Sequence, residues 1–320
     1  MTHLPTLKQL RYFVALVEHR HFGRAAAACF VSQSAFSVGI GELEGLLNVQ
    51  LVDRTRKRVT VTAVGQELVT LARLCLRDAE DLVEAARHQQ EPLAGHLNLG
   101  VIPTIAPFLL PACLPPLQAD HPRLQLYLRE EQTAVLLEAL FNGELDVVLM
   151  ALPYEVRNAE VMTLFRDPFR LACREGTARV DPEHYRFTRL QQESVLLLAD
   201  GHCLRDHALA ACKLRQQEKV SRFAATSLLT LVQMVDADLG ITYLPALAEG
   251  SSLLAQTRVR TYPLPDDAYR DIGLVWRRGS ARGEEFRALG RYLAEHRPQP
   301  PAGPAAPKRA ARRGKAASNS

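Results

Sequence analysis

No stretch of the 320-residue chain holds the roughly eighteen consecutive apolar residues that a membrane-spanning helix needs. The opening MTHLPTLKQLRYF has neither an apolar core nor a small-residue cleavage site, so export is not expected. A cytoplasmic protein, with no membrane partner, is the expectation. Cysteine is sparse: Cys29, Cys75, Cys113, Cys173, Cys203 and Cys212 are spread along the chain with no CxxC pair. That spacing argues against a disulfide scaffold, a ribbon-type zinc site and a thioredoxin-like centre. Hydrophobic residues make up 47% and charged residues 23%, ordinary for a globular protein. The length exceeds one small core, so two or three folded units are expected.

Charge is present in an uneven pattern. The formal total is +4, of which residues 1–65 hold +4 and residues 298–320 hold +5, leaving −5 in between. A basic head, an acidic body and a basic tail suit a protein that offers only part of itself to a polyanion. The tail lacks aromatics and is rich in Pro, Ala, Lys and Arg, a composition that predicts disorder.

Apolar residues Leu7, Leu10, Val14 and Val17 predict an amphipathic helix over 7–19. A short helix rich in small residues follows at 23–30, and Ser32 is placed to cap a third helix over 33–47. Phe36, Ile40, Leu43 and Leu47 share one face of that third helix, while Gln33, Ser34 and Ser37 face outward. Short hydrogen-bonding side chains there suit base edges and phosphates. Beyond it, the segment from Leu51 to Thr62 packs Arg54, Arg56, Lys57 and Arg58 into five residues and reads as a two-stranded wing. Gln33 and Ser37 are expected to read sequence, with Arg54, Arg56 and Lys57 holding phosphates. A solvated loop beside a helical bundle is the plainer reading, but the ordered set favours a DNA-binding helix-turn-helix.

From Ala63 to about Gln89 a long helix is expected, with Leu68, Ala72, Cys75, Ala79, Leu82 and Ala86 spaced as a coiled-coil seam. At ~1.5 Å per residue it would form a strut near 40 Å long, suited to dimerisation. The domains are therefore set at 1–65 for DNA binding, 66–90 for the linker helix, 91–297 for a regulatory domain and 298–320 for the tail. Within 91–297, strands (96–101, 123–130, 146–152) alternate with helices (107–119, 133–141). A second α/β set spans 161–268, followed by a strand at 272–276 and a helix at 283–296. The fold class is thus α/β, with two lobes, a mostly parallel sheet and a cleft at the strand ends.

The stretch FVALVEHRHFGRAAAACFVSQSAFSVGIGELEGLLNVQLVDRTRKRVTVTAVG resembles the winged helix-turn-helix of LysR-type transcriptional regulators. The resemblance runs to about residue 297 and implies a two-lobed effector domain like periplasmic binding proteins. The stretches LLLADGHCLRDHALAAC, VIPTIAPFLLP, EEQTAVLLEAL and FAATSLLTLVQMV are similar to the hydrogen-peroxide-sensing members of that family. Val38 stands where many members carry arginine, and Arg222 where close relatives carry histidine.

The resemblance implies that Cys203 is the peroxidatic cysteine and Cys212 the resolving one. It implies that Thr104, Thr133, His202 and Asp206 bind peroxide or poise the thiolate, and that Arg270 stabilises it. It further implies a homotetramer built as a dimer of dimers on double-stranded promoter DNA, RNA polymerase as a partner, and a thiol reductant for reset. No cofactor is implied and the protein is not expected to be an enzyme.

The chemistry of these residues fits that assignment. A thiolate, not a thiol, attacks peroxide, and free cysteine titrates near 8.5; His202, Arg205 and Arg270 are placed in sequence to favour the charge. Plainer readings remain: a buried cysteine packs as a small hydrophobe, and a threonine before a helix caps it. His202, Cys203, His207 and Cys212 could in principle hold a metal, but their spacing fits no common zinc framework. Two other functions stay open: a LysR-type regulator that binds a small organic ligand in its cleft, and a thiol peroxidase.

Overall fold

A computed structural model describes residues 3–54, 59–88, 93–211, 217–264 and 268–298. The first unit contains α1 (Leu7–His19), α2 (Phe22–Ala28) and α3 (Gln33–Leu47), followed by the hairpin of β1 (Val52–Arg54) and β2 (Val59–Val61). Thr6 opens α1 with a reciprocal capping box to Gln9, and Ser32 caps α3 by accepting from the Ala35 N–H. Phe36, Ile40 and Leu43 are fully buried as the apolar spacing of α3 requires. Leu7 departs from expectation and is half exposed. The face of α1 that turns inward carries Leu10, Tyr12, Phe13 and Leu16, because Tyr12 stacks on Phe36 with ring centroids 4.8 Å apart. Gly39 permits that approach, since a Cβ there would lie 2.8 Å from the Tyr12 ring. The predicted wing is present as an antiparallel pair, Val52 opposite Val61.

The linker helix α4 is described over Ala63–His88, and the expected end at about Gln89 lies outside the described residues. The expected seam is divided. Leu68 and Ala72 turn onto the chain's own winged-helix core, while Val64, Leu71, Cys75 and Leu82 are exposed. The exposed stripe has a spacing of seven, four and seven; it keeps Cys75 and Leu82 of the predicted seam, while in the first half of the helix Val64 and Leu71 are exposed in place of Leu68 and Ala72. The first half differs because α1 packs along it and claims Val69 and Ala72.

The regulatory region begins with β3 (Gly95–Val101), α5 (Ala106–Asp120), β4 (Leu124–Glu130), α6 (Thr133–Phe141) and β5 (Val147–Leu152). The 16-residue β6 (Ala159–Arg174) then carries the chain into the second lobe. That lobe contains β7 (Val195–Leu198), α7 (Cys203–Ala211), β8 (Val220–Ala225), α8 (Leu228–Asp236), β9 (Thr242–Pro245), α9 (Ser252–Ala255) and β10 (Val259–Pro263). The chain returns through β11 (Tyr269–Arg277) and closes with α10 (Gly283–Glu295). Strands β3, β4 and β5 are parallel, as are β7 and β8, in keeping with βα alternation. The crossing strands correct the mostly parallel expectation: β11 runs antiparallel to both β5 and β6, and β6 runs antiparallel to β9 and β10. One sheet so threads both lobes, whose apolar cores are otherwise separate.

A buried ionic network joins α4 to the first lobe. Arg282 donates to Glu285 at 2.7 Å and to the His96 carbonyl at 2.8 Å, and lies 3.4 Å from Asp146. Asp81 of α4 faces Arg277 and Arg282, and Arg77 of α4 approaches Asp146 at 3.4 Å. Burial, reinforced by Asp146, pushes the Asp81 carboxyl up from its ordinary value. Replacing Arg282 by Met should strand these carboxylates and cost about 3–5 kcal/mol in chemical denaturation of the full chain. Arg287→Met, which removes a partly exposed cation bound to Glu160 and Glu284, should cost at most about 1 kcal/mol. Equal costs for the two variants would show that burial is not what gives the network its weight.

Candidate functional site

Four elements converge between the lobes. The turn after β3 carries Thr104, α6 opens with Thr133, β11 supplies Arg270, and α7 opens with Cys203. Thr104, Thr133 and Arg270 are all buried, and Cys203 is 7% exposed. The cysteine packs in the first-lobe core although α7 belongs to the second lobe, where Leu204 and Ala208 are buried. Helix α7 is therefore seated across the boundary. Gly201 makes the seat possible: its φ is +93°, and a Cβ there would lie 2.7 Å from Gln132 Oε1 of the first lobe.

Arg270 organises the polar side of this seat. Its Nε and Nη2 reach Asp167 Oδ2 at 3.0 and 2.9 Å, Nη1 donates to Thr104 Oγ1 at 2.8 Å, and Nη2 donates to the Thr104 carbonyl at 2.9 Å. Asp167 also accepts from the Leu247 N–H at 3.0 Å. The threonine hydroxyl is thereby held with one lone pair committed to the guanidinium. Its own hydrogen is free to point elsewhere. Thr133 Oγ1 is buried with no full hydrogen bond among the described residues, yet lies near enough to the Cys203 sulfur to favour its thiolate.

Burial dominates the titration of Cys203 and pushes the thiol up from its ordinary value. The Thr133 hydroxyl, the Arg270 charge and the cysteine's own backbone N–H act in the opposite direction, while Asp206 adds to the rise. Of the three cations expected from the sequence to lower the thiol, Arg270 acts in that direction, whereas His202 and Arg205 are not among the groups acting on it, and the sum is a rise. The helix N-terminus, where an anion is favoured, does not overcome desolvation.

The other expected site residues are distributed as follows. His202 is buried and lines a cavity of about 530 Å³ between the lobes, together with Thr104, Glu130, Leu198 and Ser227. Cys203 is not in that lining, so the sulfur is shielded. Asp206 is exposed on α7, one turn beyond the cysteine. Arg205 is turned away, bound to Asp200 at 3.0 Å and to the Leu198 carbonyl at 3.2 Å. Arg222 is exposed and pairs with Glu193. Cys212 lies outside the described residues. Among the described residues no group of three or more His, Cys, Asp or Glu side chains could hold a metal ion.

At the opposite end of the molecule, Gln33 and Ser34 stand exposed on the first turn of α3, with Ser37 partly buried. Ser32 is exposed, but its hydroxyl is engaged with the Ala35 N–H at 3.2 Å and with Ser34 Oγ at 3.1 Å. Val38 adds an apolar side chain to the exposed face. Arg54 ends β1, whereas Arg56 and Lys57 lie outside the described residues.

Two residues of the interlobe site escaped the sequence reading. Asp167, the carboxylate partner of Arg270, is 103 positions away in the chain and becomes visible only in the register of β6 with β11. His207 had been considered only as a metal ligand; its position one helical turn after Cys203 was the available signal.

The raised thiol gives a direct test. Alkylation of Cys203 by iodoacetamide in the reduced full chain, followed peptide by peptide in a mass spectrometer, should climb with pH and reach its midpoint above the free-thiol range. A midpoint below that of free cysteine would mean that Arg270 and Thr133 outweigh burial. Thr133→Val should move the midpoint further upward, because it removes a group that favours the charged sulfur.

Residues 7–66 match the family described as bacterial regulatory helix-turn-helix protein, lysR family, and residues 90–298 match the LysR substrate binding domain. The HTH-type transcriptional regulator EstR of Acinetobacter baylyi is 39% identical over 290 residues, covering 90% of this chain and 96% of its own. A hydrogen peroxide-inducible genes activator of Dickeya chrysanthemi is 40% identical over 295 residues, covering 91% and 95%. Full-length OxyR from Pseudomonas aeruginosa, solved as a single-substitution variant, matches with a TM-score of 0.72 and 33% identity, covering 91% of this chain and 95% of its own. With both of its folded units matched and in the same order, the chain belongs to the LysR family of transcriptional regulators and is homologous to OxyR.

Proposed function

We propose that this protein is a DNA-binding transcriptional regulator that senses hydrogen peroxide through reversible disulfide formation between Cys203 and Cys212. The observation that carries the reading is the seat of Cys203: a shielded thiol at a helix N-terminus, flanked by the free Thr133 hydroxyl and the Arg270–Thr104 pair. Relatives named as peroxide-inducible activators support the stimulus.

The chemistry follows from these groups. The Cys203 proton must leave first, and Thr133 and Arg270 stabilise the thiolate as it forms. The sulfur then attacks one peroxide oxygen, the O–O bond breaks, and the departing hydroxide takes up a proton to become water. The resulting sulfenic acid is attacked by the Cys212 sulfur, an S–S bond forms, and a second water leaves. Two thiols so supply the two electrons that reduce one peroxide to two waters. A cellular thiol reductant reverses the bond.

Helix α7 obstructs the second step. From Cys203 to Ala211 it rises roughly 12 Å, whereas a disulfide needs Cα atoms about 4.4–6.8 Å apart. The helix has to leave its seat and unwind before Cys212 can reach the sulfur. Treating the purified full chain with peroxide should link Cys203 to Cys212 in peptide mass spectra, raise hydrogen exchange across 204–225, and change the DNA footprint. An altered footprint that persists in Cys203→Ser would overturn the reading. It would favour the second one, in which a small organic ligand occupies the interlobe cavity, whose size suits such a molecule. Sustained catalytic turnover of peroxide would instead point to a thiol peroxidase, against which the winged helix-turn-helix speaks.

On DNA, the exposed start of α3 and the cationic wing are assigned to the major groove and the phosphates, with RNA polymerase as the downstream partner. The exposed stripe Val64, Leu71, Cys75 and Leu82 of α4 is assigned to pairing two chains, and contacts between regulatory domains to joining dimers into a tetramer. Leu71→Glu with Leu82→Glu should therefore lower the mass in light scattering. An unchanged assembly would exclude the stripe as the pairing surface.

A further inference from the structure

The redox mechanism leaves one partly buried polar side chain of α7 unused. His207 lies four residues after Cys203, on the same face of the helix. Its Nε2 is 3.0 Å from the carbonyl oxygen of Pro153, the residue that follows β5. A carbonyl oxygen only accepts, so Nε2 must carry the hydrogen. Nδ1 is then a bare lone pair, buried with no partner among the described residues.

The bond spans the two lobes. Pro153 extends a strand of the first lobe, whereas Leu204 and Ala208 of α7 are part of the second-lobe core. We propose that His207 is a positioning residue, a latch whose Nε2–H···O bond to Pro153 keeps α7 seated over the first lobe and sets how readily the helix leaves. The consequence for Cys203–Cys212 pairing rests on the redox reading above; the latch itself does not. Once Cys203 is oxidised by hydrogen peroxide, α7 has to release this bond before Cys212 can attack the sulfenic acid, form the disulfide and expel water.

The charged and titratable groups that face the ring are Arg270 from β11 and Asp206 from its own helix, and the Pro153 carbonyl faces it from the end of β5. Burial is the main influence and holds the imidazole neutral; Arg270 acts with it, the Pro153 carbonyl and Asp206 against it. Protonation would place a hydrogen on the buried Nδ1 with nothing to accept it, and a second positive charge near Arg270. An unseated helix exposes the ring, which then titrates near its ordinary value of about 6.5. Below that pH the open form binds a proton that the seated form does not, so seating is strongest at neutral pH and weakens as pH falls.

The test uses the reduced full chain in three forms: wild type, His207→Gln, whose amide can still donate to Pro153, and His207→Phe, which fills the space without a donor. Hydrogen exchange of 204–211, corrected for intrinsic rates, should be roughly two- to tenfold faster in the Phe variant near pH 7.5, the range one net hydrogen bond commands. The Gln variant should match wild type there. Lowering the pH to about 5.5 should open α7 further in wild type but not in the Gln variant. After peroxide, the Cys203–Cys212 bond should form faster in the Phe variant than in the other two. Equal protection in all three proteins, or a Gln variant as open as Phe, would overturn the latch, as would a wild-type profile indifferent to pH. If the exchange pattern appears but no disulfide forms in wild type, the latch stands and the redox reading falls.

Discussion

The pairing of Arg270 with Asp167 is the contact around which the regulatory domain is arranged. The two residues sit directly opposite each other where β11 returns beside β6, so the register of the crossing strands and the ion pair depend on one another. Both side chains are buried, and each is fully engaged: the guanidinium with Asp167 and Thr104, the carboxylate with Arg270 and the Leu247 N–H. A buried charge without such partners would be costly, and removing either member leaves the other stranded. The same cation is a source of positive potential for both Cys203 and His207. A structural clamp at the lobe crossing is thus also the electrostatic floor of the thiol site.

Cys203 is held in tension between two physical demands. Shielding protects the sulfur from indiscriminate oxidants and packs the lobes together, but it raises the thiol. Reactivity toward peroxide needs the opposite. Thr133 offers a partial resolution, because a hydroxyl whose hydrogen has no stronger acceptor can turn to the sulfur when charge develops there. On the proposed redox reading, such a site is quiet at rest and gains from charge separation only along the reaction itself.

Much of this architecture is legible in the chain. The helix predicted over 133–141 is observed as Thr133–Phe141, and the helix-turn-helix follows from Ser32 and the spacing of Phe36, Ile40 and Leu43. These features are local: a cap, an apolar period, a turn. What escaped the sequence reading is non-local. Asp167 meets Arg270 only through strand pairing, and β11 runs antiparallel because it must cross back between lobes. That the chain's own core covers only the first half of the α4 seam, Leu68 and Ala72, escaped too, because periodicity identifies an apolar face without saying whether α1 or another chain will cover it. Cysteine spacing likewise carries no information about burial, so the direction of the Cys203 shift emerged only with the packing around it.

The network of Asp81, Asp146, Arg277, Arg282 and Glu285 has a mechanical reading. Through Arg77 and Asp81, one turn apart, it ties the strut to the first lobe, and neither can slide away without stranding a buried charge. The strut and that lobe are therefore coupled, and the strut's other end packs against α1 of the winged helices. The second lobe is joined to this unit through the crossing strands. A rearrangement of a few ångströms near the fulcrum at α7 would then be magnified along a helix roughly 39 Å long, which at ~1.5 Å per residue is the reach of α4. In such a machine the gain is set by the length of the strut, and the rigidity of one buried arginine cluster decides how much of it is delivered.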